Sequence, residues 1–308
     1  MRRLILVCIV SILILSLCPS CKRDTGGADE KGKLVVVTSL FPLYDFAKHI
    51  GKDRAEVSLL IPPGVESHSF EPKPRDMIKI YDADMFIYTG AAMEPWVADI
   101  IAGIQEKNLL IIDTSTGIAP REKSADPGDE HRGTDPHIWL DLAYAQKMVD
   151  TMCAGFIDKD PVNKTFYTDN AAAYKSSLTA LDTRFQDALS RCEKKIIIHG
   201  GHFAFGYLAR RYHLGYVAAY GFSPDSEPTP KRLYELSELT KRNRITHIFY
   251  EELLNPRVAE TIARETGATL LKLNAAHNIT KDEMDRGVSF IAIMEQNLKN
   301  LIVGLQCR

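Results

Sequence analysis

Lys195-Ile196-Ile197-Ile198-His199-Gly200-Gly201-His202-Phe203-Ala204-Phe205-Gly206 is the stretch that decides the fold. Its apolar start, through Ile198, reads as a buried β-strand. The strand breaks at Gly200-Gly201, and a helical pattern opens at His202 and runs on through Tyr207 and Leu208. A histidine at such a strand-to-helix switch sits at the carboxyl edge of a sheet, where ligands bind in open α/β folds. Two further histidines occupy similar places. Leu59-Leu60-Ile61 ends in Pro62-Pro63-Gly64 and leads to His68, and the loop Asp135-Pro136-His137 leads into a helix. Three imidazoles presented by separate loops make a metal site the first idea to test.

The segments before this stretch alternate in the same way. Strands are expected at 33–37, 57–61, 84–88 and 109–113, with helices at 43–50, 75–81 and 96–104 between them. Such alternation argues for a parallel sheet with helices on both faces. A second α/β series begins near Lys194, with strands at 195–198, 214–218, 247–250 and 269–273. Between the two series, Lys164 to Cys192 contains no Gly or Pro. Ala171, Ala172, Tyr174, Leu178, Leu181, Phe185 and Leu189 recur there at helical spacing. A helix of roughly 28 residues would be about 40 Å long. That length can span a two-domain protein, or it can pack inside one domain. Residues 119–135 are polar and read as a surface loop, with a single histidine, His131.

Composition narrows the classes. The net charge of −2 gives no footprint for nucleic acid. Arg2 and Arg3 precede an apolar stretch, Leu4 to Leu17, which is short for a membrane span and fits the core of a signal peptide. Ser20-Cys21 followed by a polar, Gly-containing stretch resembles a lipoprotein cleavage site. Cys21 is therefore expected to carry lipid, with plain secretion as the alternative. After processing, Cys153, Cys192 and Cys307 remain beside Cys21, which is compatible with one disulfide and one thiol or with three thiols.

These motifs together resemble the solute-binding proteins of ABC importers for zinc and manganese, the ZnuA/TroA type. Pro62-Pro63-Gly64-Val65-Glu66-Ser67-His68-Ser69-Phe70-Glu71-Pro72 is similar to that family's first ligand loop. Gly90 with Glu94 and Trp96, then Asp135-Pro136-His137-Ile138-Trp139-Leu140-Asp141, then His202-Phe203-Ala204-Phe205-Gly206-Tyr207 match the segments that follow. Ser223-Pro224-Asp225-Ser226-Glu227-Pro228 matches a signature of the zinc-type branch. The resemblance implies an α/β protein with two parallel-sheet lobes joined by one long rigid helix, with metal bound in the cleft between them. It divides the chain into a signal peptide (1–20), a flexible tether (21–32), an N-terminal lobe (33–163), a linking helix (164–193) and a C-terminal lobe (194–308).

The resemblance also implies the ligands. Three positions fall on His68, His137 and His202. The fourth position, usually acidic in the family, falls on His277 in Leu273-Asn274-Ala275-Ala276-His277. Either His277 completes a four-imidazole site, or water or a carboxylate such as Glu66, Glu251 or Glu252 takes that place. Imidazole at position 202, where manganese-type relatives carry Glu, favours Zn²⁺. His199 is expected to be structural or to support the ligands, and His49, His213 and His247 to be structural. Asp135 or Asp141 is expected to accept a hydrogen bond from an imidazole, with helix capping as the other role for Asp141. Trp96 and Trp139 are expected in the core near the cleft.

The function implied is extracytoplasmic capture of Zn²⁺ and its delivery to the membrane permease of an ABC importer, by a monomer anchored through Cys21. A manganese-binding component and a metal-binding surface adhesin are the alternatives within the resemblance. A cobalamin- or siderophore-binding protein would not need three converging histidines. The chain has no HExxH or GxSxG signature, so an enzyme is not expected.

Overall fold

The computed structural model describes residues 32–103, 108–120, 134–222 and 228–308. The expected signal peptide, Cys21, His131 and most of the Ser223–Pro228 signature lie outside them. No helix among the described residues is long and apolar enough to cross a membrane.

Residues 33–308 form one compact unit containing two four-stranded sheets. The first is built from β1 (Leu34–Thr38), β2 (Ala55–Leu59), β3 (Met85–Tyr88) and β4 (Leu110–Asp113), in the order β2-β1-β3-β4. The second is built from β5 (Ile196–His199), β6 (Gly215–Ala218), β7 (His247–Tyr250) and β8 (Thr269–Lys272), in the order β6-β5-β7-β8. Every pairing is parallel. Both sheets thus use the same topology, although no internal repeat is visible in the residues. All four residues of β3 are buried. Parallel strands covered on both faces lose the polar–apolar alternation and read as continuous apolar runs.

The helices between strands are α1 (Phe41–Gly51), α2 (Pro74–Tyr81) and α3 (Val97–Gly103) in the first lobe. After β4 come α4 (Leu142–Lys159) and the long α5 (Lys164–Ser190). The second lobe carries α6 (Gly206–Arg211), α7 (Pro230–Arg242), α8 (Arg257–Thr266), α9 (Lys281–Asp285) and α10 (Phe290–Gly304). Several expected boundaries move, β2 by two residues from 57–61 and two helix ends as well. The helix after His202 begins at Gly206, because Phe203 donates its N–H to Gly221 O at 2.7 Å and Ala204 donates to His202 O at 2.9 Å. These bonds hold residues 202–205 as a loop. The long helix stops at Ser190, two residues short of Cys192.

α5 has 27 residues, about 40 Å of axis. It buries Tyr167, Ala171, Tyr174, Leu178, Leu181, Phe185 and Leu189, one stripe at helical spacing. Its first half is tied to α1, where Asn170 Nδ2 donates to Ile50 O at 3.1 Å and Tyr174 Oη donates to Asp45 Oδ2 at 2.7 Å. Its second half is tied to α6, where Asp182 accepts from the Arg211 guanidinium and from Tyr212 Oη. One apolar core runs along this helix and joins both sheets, from Val36 and Met85 to Phe249 and Met294. Smaller clusters cover the outer face of each sheet, around Phe86 and Ile80 and around Ile248 and Ile262. A disulfide between Cys192 and Cys307 fastens the segment after α5 to the last turn of the chain. Cys153 is a buried free thiol.

Candidate metal centre

Each candidate ligand hangs from the carboxyl end of a strand or from the loop beyond it. His68 follows β2, His137 follows β4, His202 follows β5 and His277 follows β8. His137, His202 and His277 are fully buried, and His68 is half-buried. One nitrogen from each of His68, His137 and His202 lies within 4.8 Å of the other two. His137 Nε2 is 3.2 Å from His68 Nε2 and 3.0 Å from His202 Nε2.

The outer nitrogens explain why the inner ones converge. His137 Nδ1 sits 2.9 Å from Asp135 Oδ1, which also accepts the His137 backbone N–H at 3.0 Å. His202 Nδ1 sits 2.7 Å from both oxygens of Glu251, and Oε2 accepts the His202 backbone N–H at 3.0 Å. A carboxylate can only accept, so each Nδ1 carries the proton and each Nε2 presents a lone pair. Two lone pairs facing each other at 3.0 Å repel unless a cation lies between them. Tetrahedral zinc with Zn–N bonds of 2.0–2.1 Å sets its nitrogens about 3.3 Å apart, close to the spacing found here. Asp141 has the other expected role. It caps α4 by accepting from Ala143 N–H at 2.9 Å, and it pairs with Arg211.

Burial dominates the ionisation of His68 and His137. It pushes His68 down to about 3, helped by the neighbouring imidazoles, and holds His137 well below the ordinary value for the same reasons. Both rings are therefore neutral near neutral pH, as metal ligands must be. His277 behaves differently. Burial would lower it, but Glu66, Glu252 and Glu251 outweigh burial and raise it.

The His277 ring centroid is 5.6 Å from that of His202 and 6.0 Å from that of His68. Its ring nitrogens have no hydrogen-bond partner among the described residues, and Glu66 Oε2 stands 3.9 Å from Nε2. His277 thus borders the triad. Of the three carboxylates weighed as the fourth ligand, Glu251 is engaged with His202. Glu66 Oε1 accepts the His68 backbone N–H at 2.9 Å. Glu252 is unpaired among the described residues, and burial pushes it up to about 8. His199 is buried, with Nδ1 3.1 Å from His202 O and 3.2 Å from Tyr216 Oη, a supporting position outside the triad. Trp139 is fully buried against the His137 ring, whereas Trp96 is half-buried against Phe70 and Phe86.

Glu251 had a legible signal, since it directly follows β7 at the same sheet edge as His202. Gly201 belongs to this arrangement too, because a Cβ there would collide with the Glu251 carboxylate.

Two parallel-sheet lobes, a spanning helix and a histidine triad at the sheet edges define a metal-binding member of the two-lobed solute-binding proteins. Residues 36–304 match the family described as zinc-uptake complex component A, periplasmic, and the chain belongs to that family. It is 39% identical over 288 residues to the high-affinity zinc uptake system protein ZnuA of Bacillus subtilis, covering 90% of this chain and 89% of that protein. It is 37% identical over 308 residues to the zinc-binding lipoprotein AdcA of Streptococcus pneumoniae, covering 95% of this chain but 60% of that longer protein. The crystal structure of the Zn(II)-bound ZnuA-like domain of Streptococcus pneumoniae AdcA superimposes with a TM-score of 0.77 at 36% identity, covering 89% of this chain and 99% of that domain.

Proposed function

We infer that this chain is the zinc-capturing component of an ABC-type importer. It binds Zn²⁺ outside the cytoplasmic membrane and hands it to the permease. The observation that carries this reading is the meeting of the Nε2 atoms of His68, His137 and His202, each brought in by a different loop. Nitrogen ligands suit zinc, and the triad itself contains no carboxylate of the kind manganese favours. The named relatives support the choice of metal.

His277 is the fourth ligand in this reading. Its burial, its two unpartnered ring nitrogens and its position beside His68 and His202 support that role. Binding then requires His277 to surrender the proton that its carboxylate neighbours favour. Residues 33–163 and 194–308 act as the two lobes, with 164–193 joining them. The chain works as a monomer tethered through lipid on Cys21 and carries out no catalysis.

Titration of metal-free protein with zinc, against a competing chelator, tests the reading. One Zn²⁺ per chain with sub-micromolar or tighter affinity is expected. Absence of zinc binding, or a strong preference for manganese, would overturn it.

A further inference from the structure

The loop that carries His68 has little structure of its own. Within it the main chain makes one bond from Val65 N–H to Pro62 O at 3.1 Å and one from Phe70 N–H to Ser67 O at 3.4 Å. Its start is tied to the first lobe, by Leu60 N–H to Thr38 O at 2.8 Å and Ile61 N–H to Ser39 O at 3.3 Å. Glu66 Oε1 takes the His68 N–H at 2.9 Å, and further support comes from the other lobe. Gly64 donates its N–H to Ile279 O at 2.8 Å. Asn278 Nδ2 donates to Pro62 O and to Val65 O, both at 2.8 Å. Asn278 Oδ1 accepts from Ile279 N–H at 2.9 Å. Two carbonyls on one side and an N–H on the other allow only this orientation of the amide. Asn278 is 1% exposed, so its amide is shielded from water on the side of its own lobe.

The donor segment is itself rigid. Asn274 Oδ1 accepts from Ala276 N–H at 2.7 Å, and Asn297 bonds both the N–H and the carbonyl of Asn274. Ala276 is held at φ 57, a left-handed conformation that non-glycine residues adopt only when their surroundings impose it. Phe41 N–H and Trp139 Nε1 reach from the first lobe to His277 O and Ala275 O.

We propose that Asn278 is a positioning residue that clasps the His68 loop to the second lobe, so that the residence time of zinc on His68 is set by an amide 213 and 216 residues away from its acceptors in sequence. The clasp rests on the reading of His68 as a zinc ligand. It acts on that ligand through the loop and not through contact with the metal. Losing it leaves Val65 O without its amide donor and Pro62 O with the Val65 N–H alone.

The test uses wild type, Asn278→Ala, His68→Ala and the double variant. In metal-free protein, hydrogen exchange at the Gly64 amide is measured beside the thermal midpoint. In zinc-loaded protein, the dissociation rate is measured by chelator challenge. Asn278→Ala is expected to speed Gly64 exchange and zinc release each by about tenfold. In the His68→Ala background it should add nothing to zinc release, as expected when two changes act on one unit. Unchanged Gly64 exchange, or equal acceleration of release in both backgrounds, would overturn the clasp. If Asn278→Ala does not fold, Asn278→Ser is read by the same criteria. Should His68→Ala release zinc like wild type, the ligand assignment fails, while Gly64 exchange still decides the clasp.

Discussion

Glu251 grips His202 twice, at the ring Nδ1 and at the backbone N–H. Asp135 does the same to His137. Two loops of unrelated sequence reach the same solution, which fixes the tautomer and the ring orientation together. The carboxylates also supply negative charge near an ion whose inner ligands are neutral. Glu251→Gln and Asp135→Asn should each weaken zinc binding by about 10- to 100-fold. Isothermal titration of the two variants measures this, and an unchanged affinity in both would remove the orienting role.

His277→Ala should weaken zinc binding at least tenfold, roughly 1.4 kcal/mol. His199→Ala should change it little, because His199 faces Tyr216 Oη and the His202 carbonyl. Competition titrations of both variants separate the two histidines. The reverse ranking would exchange their roles.

Glu94 gives the fold a pH dependence of definite sign. Burial pushes its carboxyl up to about 7, against donors from Ser39 Oγ, Thr89 N–H and Gly90 N–H. The folded chain therefore holds the Glu94 proton at a pH where the unfolded chain has lost it. The stability linked to this proton is complete below the ordinary carboxyl range and is lost as pH rises through about 7. Thermal midpoints of metal-free protein should show a downward contribution between pH 5 and 8 that is missing in Glu94→Gln. Identical pH profiles for the two proteins would contradict this.

The Cys192–Cys307 disulfide closes a loop of 115 residues' separation. Replacing both cysteines with Ser should lower stability by about 2–4 kcal/mol, within the usual range for such a cross-link. Denaturant unfolding of the double variant provides the number. Because its cysteines lie before β5 and after α10, outside the ligand loops, zinc stoichiometry should stay at one.

A helix packed against both lobes through one continuous core should resist hinge bending. Metal binding should then leave the radius of gyration nearly constant, with movement confined to the ligand loops. Small-angle scattering of metal-free and zinc-loaded protein tests this, and a large change would contradict it.

The strands were legible because parallel strands buried on both faces announce themselves as apolar runs, as Ile196–Ile198 and Met85–Tyr88 do. α5 was legible because its buried stripe recurs without Gly or Pro. α7 and α8 were harder to read, since they bury only Leu236, Ser237 and Thr240, and Ala259, Ile262 and Ala263. Each still turns one face inward, and the left-handed Gly267 marks the end of α8. His68, His137 and His202 could be named from loop position and resemblance. The cystine and the hold of Asn278 on Pro62 depend on proximity between distant segments, which spacing in sequence does not encode.

Trp139 turns the packing beside the site into an optical property. The chain has two tryptophans, and this one is fully buried, edge-on to the His137 ring at 5.4 Å, with its indole N–H bound to Ala275 O. A dication arriving on His137 changes the electric field across the indole directly. Trp96, set against Phe70 and Phe86 at the half-buried edge of the first lobe, gives a steady background. Intrinsic emission should therefore report occupancy of the centre in unlabelled protein, and Trp139→Phe should silence it.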